Sequence, residues 1–329
     1  MIRAENLYRT FVRYKHEPGL KGTLKGFVRR QKETVEAVDH ISFHICPGEF
    51  IGYIGPNGAG KSTTIKLMTG ILTPTSGAVS VDGRDPVKDR IRNAGIIGSV
   101  FGQRSQLWWD LPIMDTYSLF KHMYKIESGD FNMKVEQLKE LLELGEFWDA
   151  PVRQLSLGQR MRGELGAALL HSPKVLFLDE PTIGMDVVIK DQIKKFLKRI
   201  NLEQGVTVLL TTHDLKDVED LCSRSILINR GRVLFDGSLS EIRRRSSART
   251  RIDLEFENAV PSDINEICGL AKVSSLEVTE TAGKRITALF LRKEHSPVQI
   301  IERFSPLGVV SDVRLTEPPI EEVIADYYR

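Results

Sequence analysis

Apolar and polar positions change their spacing repeatedly along this chain, and each change marks an element. Residues 34–45, TVEAVDHISFHI, alternate in part, as a strand with one buried face does. Pro47-Gly48 turns the chain, and EFIGYIG (49–55) is a short apolar run of the buried-strand type. TTIKLMTGIL follows with helical spacing, and residues 77–82 and 95–100 read as further strands. From about 105 to 171 the pattern is mostly helical. KHMYKI, VEQLKELLEL and GQRMRGELGAALL carry apolar residues three and four apart, and Pro173 stops the last of them. KVLFLDE is then strand, DQIKKFLKRINLEQG helix and VTVLLTTH strand. SILINRGRVLFDG reads as a hairpin around Asn229-Arg230-Gly231.

A charged stretch from Glu241 to Arg251 holds Arg243, Arg244, Arg245, Arg249 and Arg251, marks a boundary, and is expected to be a solvated face or linker. Beyond it the rhythm differs. RIDLEFE, KVSSLEVTE, RITALFLR and VVSDVRLTE are strand-like, while PSDINEICG, SPVQIIERFSP and PPIEEVIADYY are helix-like. That order is βαββαβ plus a terminal helix, a small α+β unit of ferredoxin-like pattern. The expected division is 1–242 for a large α/β domain, with a helical part at about 104–172, and 252–329 for the accessory domain.

Composition narrows the classes. The chain has 329 residues, 41% hydrophobic and 27% charged, as soluble globular proteins do. Lys and Arg total 46 against 44 Asp and Glu, a net charge of +2, too small to argue for nucleic acid or anionic lipid as a partner. Cys46, Cys222 and Cys268 lack metal-like spacing and suit a reducing compartment. The N-terminal stretch MIRAENLYRTFVRY is broken by charge and reads as no signal peptide. No run of about 18 apolar residues occurs, so any membrane-spanning part is expected on another chain.

The chemistry begins at Gly55-Pro56-Asn57-Gly58-Ala59-Gly60-Lys61-Ser62, a GxxxxGK[ST] loop between a strand and a helix that continues through Thr63. Gly55, Gly58 and Gly60 let backbone N–H groups face phosphates, and the helix starting near Lys61 offers its positive end. Lys61 is placed to reach the terminal phosphates and Ser62 to put a hydroxyl on Mg²⁺. Downstream, a buried apolar strand delivers Asp179, expected to hold Mg²⁺ through water, and Glu180, expected to polarise the attacking water. His213 ends VTVLLTTH as a candidate γ-phosphate sensor, and Gln103 ends GSVFGQ as another strand-end polar group.

These residues, with Leu155-Ser156-Leu157-Gly158-Gln159, resemble the motifs of the ABC ATPases, the nucleotide-binding subunits of ABC transporters. The resemblance covers roughly residues 5 to 240. Gly55 to Ser62 is similar to the Walker A motif and Val175 to Glu180 to Walker B. Gln103 matches the Q-loop, and Ile183-Gly184-Met185-Asp186 the D-loop. LSLGQ matches the signature motif, and His213 the switch histidine. The resemblance implies a P-loop ABC ATPase fold, ATP and Mg²⁺ as cofactors, and Gln103 among the catalytic and magnesium-binding groups. It also implies a head-to-tail pair, a homodimer or two ATPase subunits, in which each signature closes over the other's ATP through Ser156, Gly158 and Gln159. Leu157 departs from the family's usual glycine. The adenine ring is expected on an aromatic residue before the loop, with Phe11 favoured over Tyr8 and Tyr14.

Residues 15 to 36 read as an inserted excursion in which Leu20, Leu24, Phe27 and Val28 have helical spacing beneath a basic face. Such an insertion, and the closing TEPPIEEVIADYYR, resemble exporter subunits of the ABC-2 type. Trp108-Trp109, after Gln103, lie where the family receives a coupling helix from the membrane subunit. The expectation is a peripheral ATPase on the cytoplasmic face of the membrane, driving export through separate polytopic permease subunits, with no nucleic-acid partner. Three other readings stand beside it: a soluble ABC ATPase acting on ribosomes or DNA, an ATP-switched regulatory protein, and an importer subunit.

Overall fold

The computed structural model describes residues 1–14, 32–102, 105–212, 214–261, 264, 269 and 275–328. Gln103, His213, the apolar residues at 20, 24, 27 and 28, and most of the helix expected at 261–269 lie outside the described residues. The chain forms two compact units, Met1–Asp236 and Gly237–Arg329.

In the first unit, β1 (Ile2–Tyr14) pairs antiparallel with β2 (Lys32–Ile45). Residues 32–36, expected within the excursion, are therefore strand: Tyr14 lies opposite Lys32 and Phe11 opposite Val35. β3 (Phe50–Ile54) runs into the glycine loop and α1 (Lys61–Met68). β4 (Ser76–Val81) returns to pair with β1. After α2 (Arg90–Ala94) and β5 (Ile97–Phe101) come α3 (Ile113–Tyr124), α4 (Ser128–Leu141) and α5 (Leu157–Leu169), the expected helical region. Then follow β6 (Val175–Asp179), α6 (Val187–Gln204), β7 (Thr207–Thr211), α7 (Leu215–Leu221), β8 (Arg224–Asn229) and β9 (Arg232–Gly237).

The second sheet of this unit has the order β5-β6-β7-β3-β8-β9. β5, β6, β7, β3 and β8 pair in parallel. Val175 to Leu178 and all of β7 are buried, which explains why these strands read as unbroken apolar runs rather than alternating ones. One core joins the two sheets around α1. Ile2, Leu7 and Phe43 from the antiparallel sheet meet Ile51, Tyr53, Phe177 and Leu209 from the parallel one, with Ile65, Leu67 and Met68 from the helix. No helix among the described residues is long and apolar enough to cross a membrane.

The second unit carries α8 (Leu239–Arg245), β10 (Arg249–Phe256), β11 (Leu276–Ala282), β12 (Arg285–Leu291), α9 (Pro297–Phe304), β13 (Val310–Thr316) and α10 (Ile320–Tyr328). Its sheet order is β11-β12-β10-β13, antiparallel throughout, as the ferredoxin-like pattern requires. Ile252, Leu254, Ile286 and Phe290 pack with Ile300 and Phe304 of α9. The arginine-rich stretch is a partly solvated helix and strand rather than a linker: Arg244 and Arg245 are exposed. Ser238 and Glu241 form a reciprocal cap, Ile242 is buried, and Arg243 to Arg245 fill the last turn, where the helix dipole favours cations. Arg251 then lies on the strand β10 and pairs with Asp253 at 2.8 Å. The acidic tail helix folds back on α8: Arg243 Nη1 donates to Pro318 O at 2.9 Å and Ser247 N to Asp326 Oδ2 at 2.6 Å.

Candidate functional site

The parallel register sets the site. Phe101 lies opposite Asp179, and Asp179 opposite Thr211, so three strands end level. β3, beside β7, ends at Ile54 and hands the chain to the glycine loop at the same end of the sheet. The loop, the two acids and the chain positions next to Gln103 and His213 therefore converge at the carboxyl ends of the strands, where open α/β sheets bind ligands.

Within the loop, Pro56, Asn57 and Gly58 face outward and Ala59 is buried. Gly60 caps α1 with φ 105°, and a Cβ there would stand 2.3 Å from the Ala37 carbonyl oxygen. Only glycine meets both conditions. Lys61 is buried, and its Nζ donates to Gly55 O at 2.6 Å and Pro56 O at 3.2 Å. Burial pushes its ammonium pKa down, while the nearby carboxylates of Glu180 and Asp179 oppose the shift. Any further negative charge placed beside it would oppose the shift in the same way. Ser62 and Thr63 are half-buried in the first turn of α1. Thr64 ties that turn to Gly60 O at 3.0 Å and takes a bond from Tyr53 Oη at 3.2 Å.

Asp179 closes β6, and its Oδ1 accepts from Thr211 Oγ1 at 2.6 Å, which fixes the carboxylate's orientation. Glu180 adopts φ 54°, a left-handed conformation that costs a non-glycine residue roughly 1–2 kcal/mol. Its amide is held by Thr211 O at 3.0 Å. Gly102, the residue before Gln103, donates its amide to Asp179 O at 2.9 Å. The Ser62 hydroxyl and Asp179 carboxylate are hard oxygen donors, and that donor set suits magnesium better than a soft metal.

Ser156 and Gln159 form a capping box at the start of α5: Ser156 Oγ accepts from Gln159 N at 3.2 Å, and Gln159 Oε1 accepts from Ser156 N at 2.9 Å. The serine hydroxyl proton is not used in this cap. Gln159 is committed to holding the serine. Gly158 faces Ile189 of α6, 3.0 Å from where its Cβ would be, and Leu157 lies over Gly184, whose φ is 70°. The leucine that replaces the usual glycine thus finds its contact in the 183–186 loop. Asp186 caps α6 by accepting from Ile189 N at 3.0 Å.

Phe11 is exposed on β1 with the Arg9 guanidinium 4.7 Å from its ring centre, whereas Tyr8 stacks on His40 at 4.5 Å. Trp108 and Trp109 are each 54% exposed, beside exposed Leu111 and Met114. Arg153 N donates to Trp109 O at 2.9 Å, Val152 N to Leu111 O at 3.1 Å, and Arg153 Nη1 to Asp110 at 2.9 Å. The tryptophan loop is thereby strapped to the segment that leads into Ser156.

Pattern reading missed Glu164. This buried carboxylate on α5 accepts from Ser105 Oγ, Gln106 N at 3.1 Å and Leu107 N at 3.4 Å, and burial raises its pKa. It clamps the chain just after Gln103 to the helix that begins at Ser156. An acidic residue among GQRMRGELGAALL was the available signal, but its partners lie far off in sequence.

A family model described as "ABC transporter" matches residues 38–183. The ABC transporter ATP-binding protein NatA of Bacillus subtilis (strain 168) is 30% identical over 212 residues, covering 64% of this chain and 86% of that protein. The Nod factor export ATP-binding protein I of Burkholderia pseudomallei (strain 1710b) is 36% identical over 211 residues, 64% of this chain and 69% of that one. The probable multidrug ABC transporter ATP-binding protein YbhF of Escherichia coli (strain K12) is 35% identical over 225 residues, and there this chain spans 38% of the relative's length. Among solved structures, the dimeric post-hydrolysis state of the ATP-binding cassette MJ0796 bound to ADP and Pi superposes with TM-score 0.60 at 26% identity, over 72% of this chain and 98% of that one.

Proposed function

Because the chain belongs to the ABC transporter ATP-binding family, we propose that it hydrolyses ATP to drive export through separate membrane-spanning subunits of the ABC-2 type, working as one of two paired ATPase subunits on the cytoplasmic face. The observation that carries the reading is the level ending of β5, β6 and β7 beside the glycine loop, which gathers Lys61, Asp179 and Glu180 at one end of the sheet.

The residues divide the work. Backbone N–H groups of residues 55–63 and the positive end of α1 cradle the phosphates, and Lys61 shifts from the loop carbonyls to the terminal phosphate oxygens. Ser62 and Gln103, with Asp179 through water, would hold magnesium, which when bound would neutralise charge on the terminal phosphates. Glu180, at the end of β6, takes the proton of the attacking water. His213 is the polar group for the γ-phosphate.

Ser156 and Gly158 serve the partner's nucleotide. The serine proton left free by the cap donates to phosphate, while α5 adds its N-terminal dipole, worth about 0.3–1 kcal/mol. The paired arrangement has support in the dimeric cassette to which this chain is similar. The export direction has support in the Nod factor export relative. Phe11 is the residue proposed to stack on adenine.

The exposed Trp108 and Trp109 supply the docking anchors for a membrane subunit, and their strap to residues 151–153 passes movement toward Ser156. The test is purification of the chain from native membranes in mild detergent, followed by identification of its companions. Polytopic membrane proteins in stoichiometric amount with the wild type, lost with Trp108→Ala/Trp109→Ala while ATP hydrolysis persists, are expected. Recovery solely with ribosomes, DNA or the soluble fraction would overturn the reading.

A further inference from the structure

The turn of the β8–β9 hairpin leans on the phosphate loop. Arg230 and Gly231 have φ of 47° and 77°, the two positive values of a type I′ turn. The Gly231 amide donates to Ala59 O at 2.9 Å, and Gly231 O accepts from Asp39 N at 2.8 Å. A Cβ on Gly231 would stand 3.0 Å from Asp39 N and 3.1 Å from Val38 Cα, and Gly231 Cα lies 3.7 Å from where a Gly60 Cβ would be. Gly231 and Gly60 thus sit back to back against residues 37–39 of β2, with no room for a side chain on either. Arg232 Nε completes the tie by donating to Asp39 Oδ2 at 2.5 Å.

In a planar trans peptide the carbonyl and the N–H point in opposite directions. The Ala59 carbonyl and the Gly60 amide belong to one such unit, since no cis bond occurs among the described residues. With Ala59 O turned to the hairpin, the Gly60 N–H turns away from it, and it meets no acceptor among the described residues. It heads the row of free N–H groups at the start of α1, where the helix dipole also favours an anion. A glycine on the C-terminal side of this peptide leaves it free to rotate, so a fixed partner is needed to hold it.

We infer that Gly231 is a positioning residue for the phosphate loop, and that its amide, acting through Ala59, aims the Gly60 N–H at the phosphates of the nucleotide. The Asp39–Arg232 pair fastens the turn in place. The inference rests on the ATP-binding part of the function proposed above, yet the two fail separately: turnover judges hydrolysis, and affinity judges the clip.

The experiment measures Mg·ATP affinity by calorimetric titration and kcat by phosphate release, on the full chain. Gly231→Ala forces the turn off the loop and is expected to weaken ATP binding about tenfold while kcat at saturation stays within about threefold, as loss of uniform binding requires. Gly283→Ala is the control. Gly283 also has a positive φ, 60°, but its Cβ position has no atom within 4 Å. This variant carries a comparable backbone strain and keeps the wild-type affinity.

Labelling alanine carbonyls with carbon-13 and glycine amides with nitrogen-15 leaves the three Ala–Gly amide signals of Gly60, Gly95 and Gly283. The Gly60 signal is expected to move when Mg·ATP is added to the wild type, and to move less in Gly231→Ala. If circular dichroism shows that Gly231→Ala does not fold, Arg232→Ala decides in its place. Arg232 is 71% exposed, so its removal spares the fold. ATP binding should then weaken about threefold and recover in Arg232→Lys, and an unchanged affinity overturns the proposal. A wild-type Gly60 signal that ignores Mg·ATP, a Gly231→Ala affinity within about twofold of wild type, or an equal loss in Gly283→Ala would each overturn it as well.

Discussion

Gly60 bears two demands at once, a positive φ and a Cβ path blocked by the Ala37 carbonyl. Alanine at this position must break one or the other, at a cost of about 2 kcal/mol. That predicts roughly thirtyfold weaker ATP binding for Gly60→Ala with the fold retained, measurable by calorimetric titration. The phosphate loop was legible in the sequence because its chemistry is local: eight consecutive residues carry it. Glu180 was legible as an acid but its left-handed backbone was not, since φ 54° comes from the tie of its amide to β7, some thirty residues downstream. Leu157 was visible only as a departure from a pattern. Its contact with Gly184 belongs to the folded chain.

At the scale of elements, α5 is built for close approach. Tyr117 of α3 is fully buried against it and donates to Gly163 O at 2.9 Å, and a Cβ on Gly166 would overlap the tyrosine hydroxyl. Helical spacing announced α5 but gave no hint that its glycines receive a tyrosine or that Glu164 clamps residues 105–107. Glu164→Ala leaves a hydroxyl and two amides without their acceptor, about 1–3 kcal/mol for each that stays buried. A fall in melting temperature of roughly 5–10 °C is expected by calorimetry.

Glu164→Gln keeps an acceptor and serves as the pH test. The folded-state pKa of Glu164 lies above the ordinary 4.5. Its contribution to stability is therefore fully present below that value and is lost as pH rises through the raised one. Wild type should gain on Glu164→Gln as pH falls toward 4.5, and equal pH dependence of the two would contradict the assignment.

For the whole molecule, the α/β fold around the phosphate loop and the α+β character of the C-terminal part were legible, whereas the separate three-stranded sheet β2-β1-β4 was not, because its pairings are made between segments far apart in sequence. The arginine run lies inside the second unit, and its charge density alone could not separate a solvated face from a linker. Ser238 and Glu241, spaced as a capping box, and the alternation of Arg251 with Ile252 decide between them. The central claim is that this molecule turns over ATP through Glu180. The measurement that tests it most directly is ATP binding and phosphate release by wild type and Glu180→Gln side by side. The account predicts similar ATP affinity for both, hydrolysis by the wild type, and a rate lower by about 10²–10⁴-fold in the variant. A variant that hydrolyses at the wild-type rate, or a wild type that binds ATP and releases no phosphate, would contradict it.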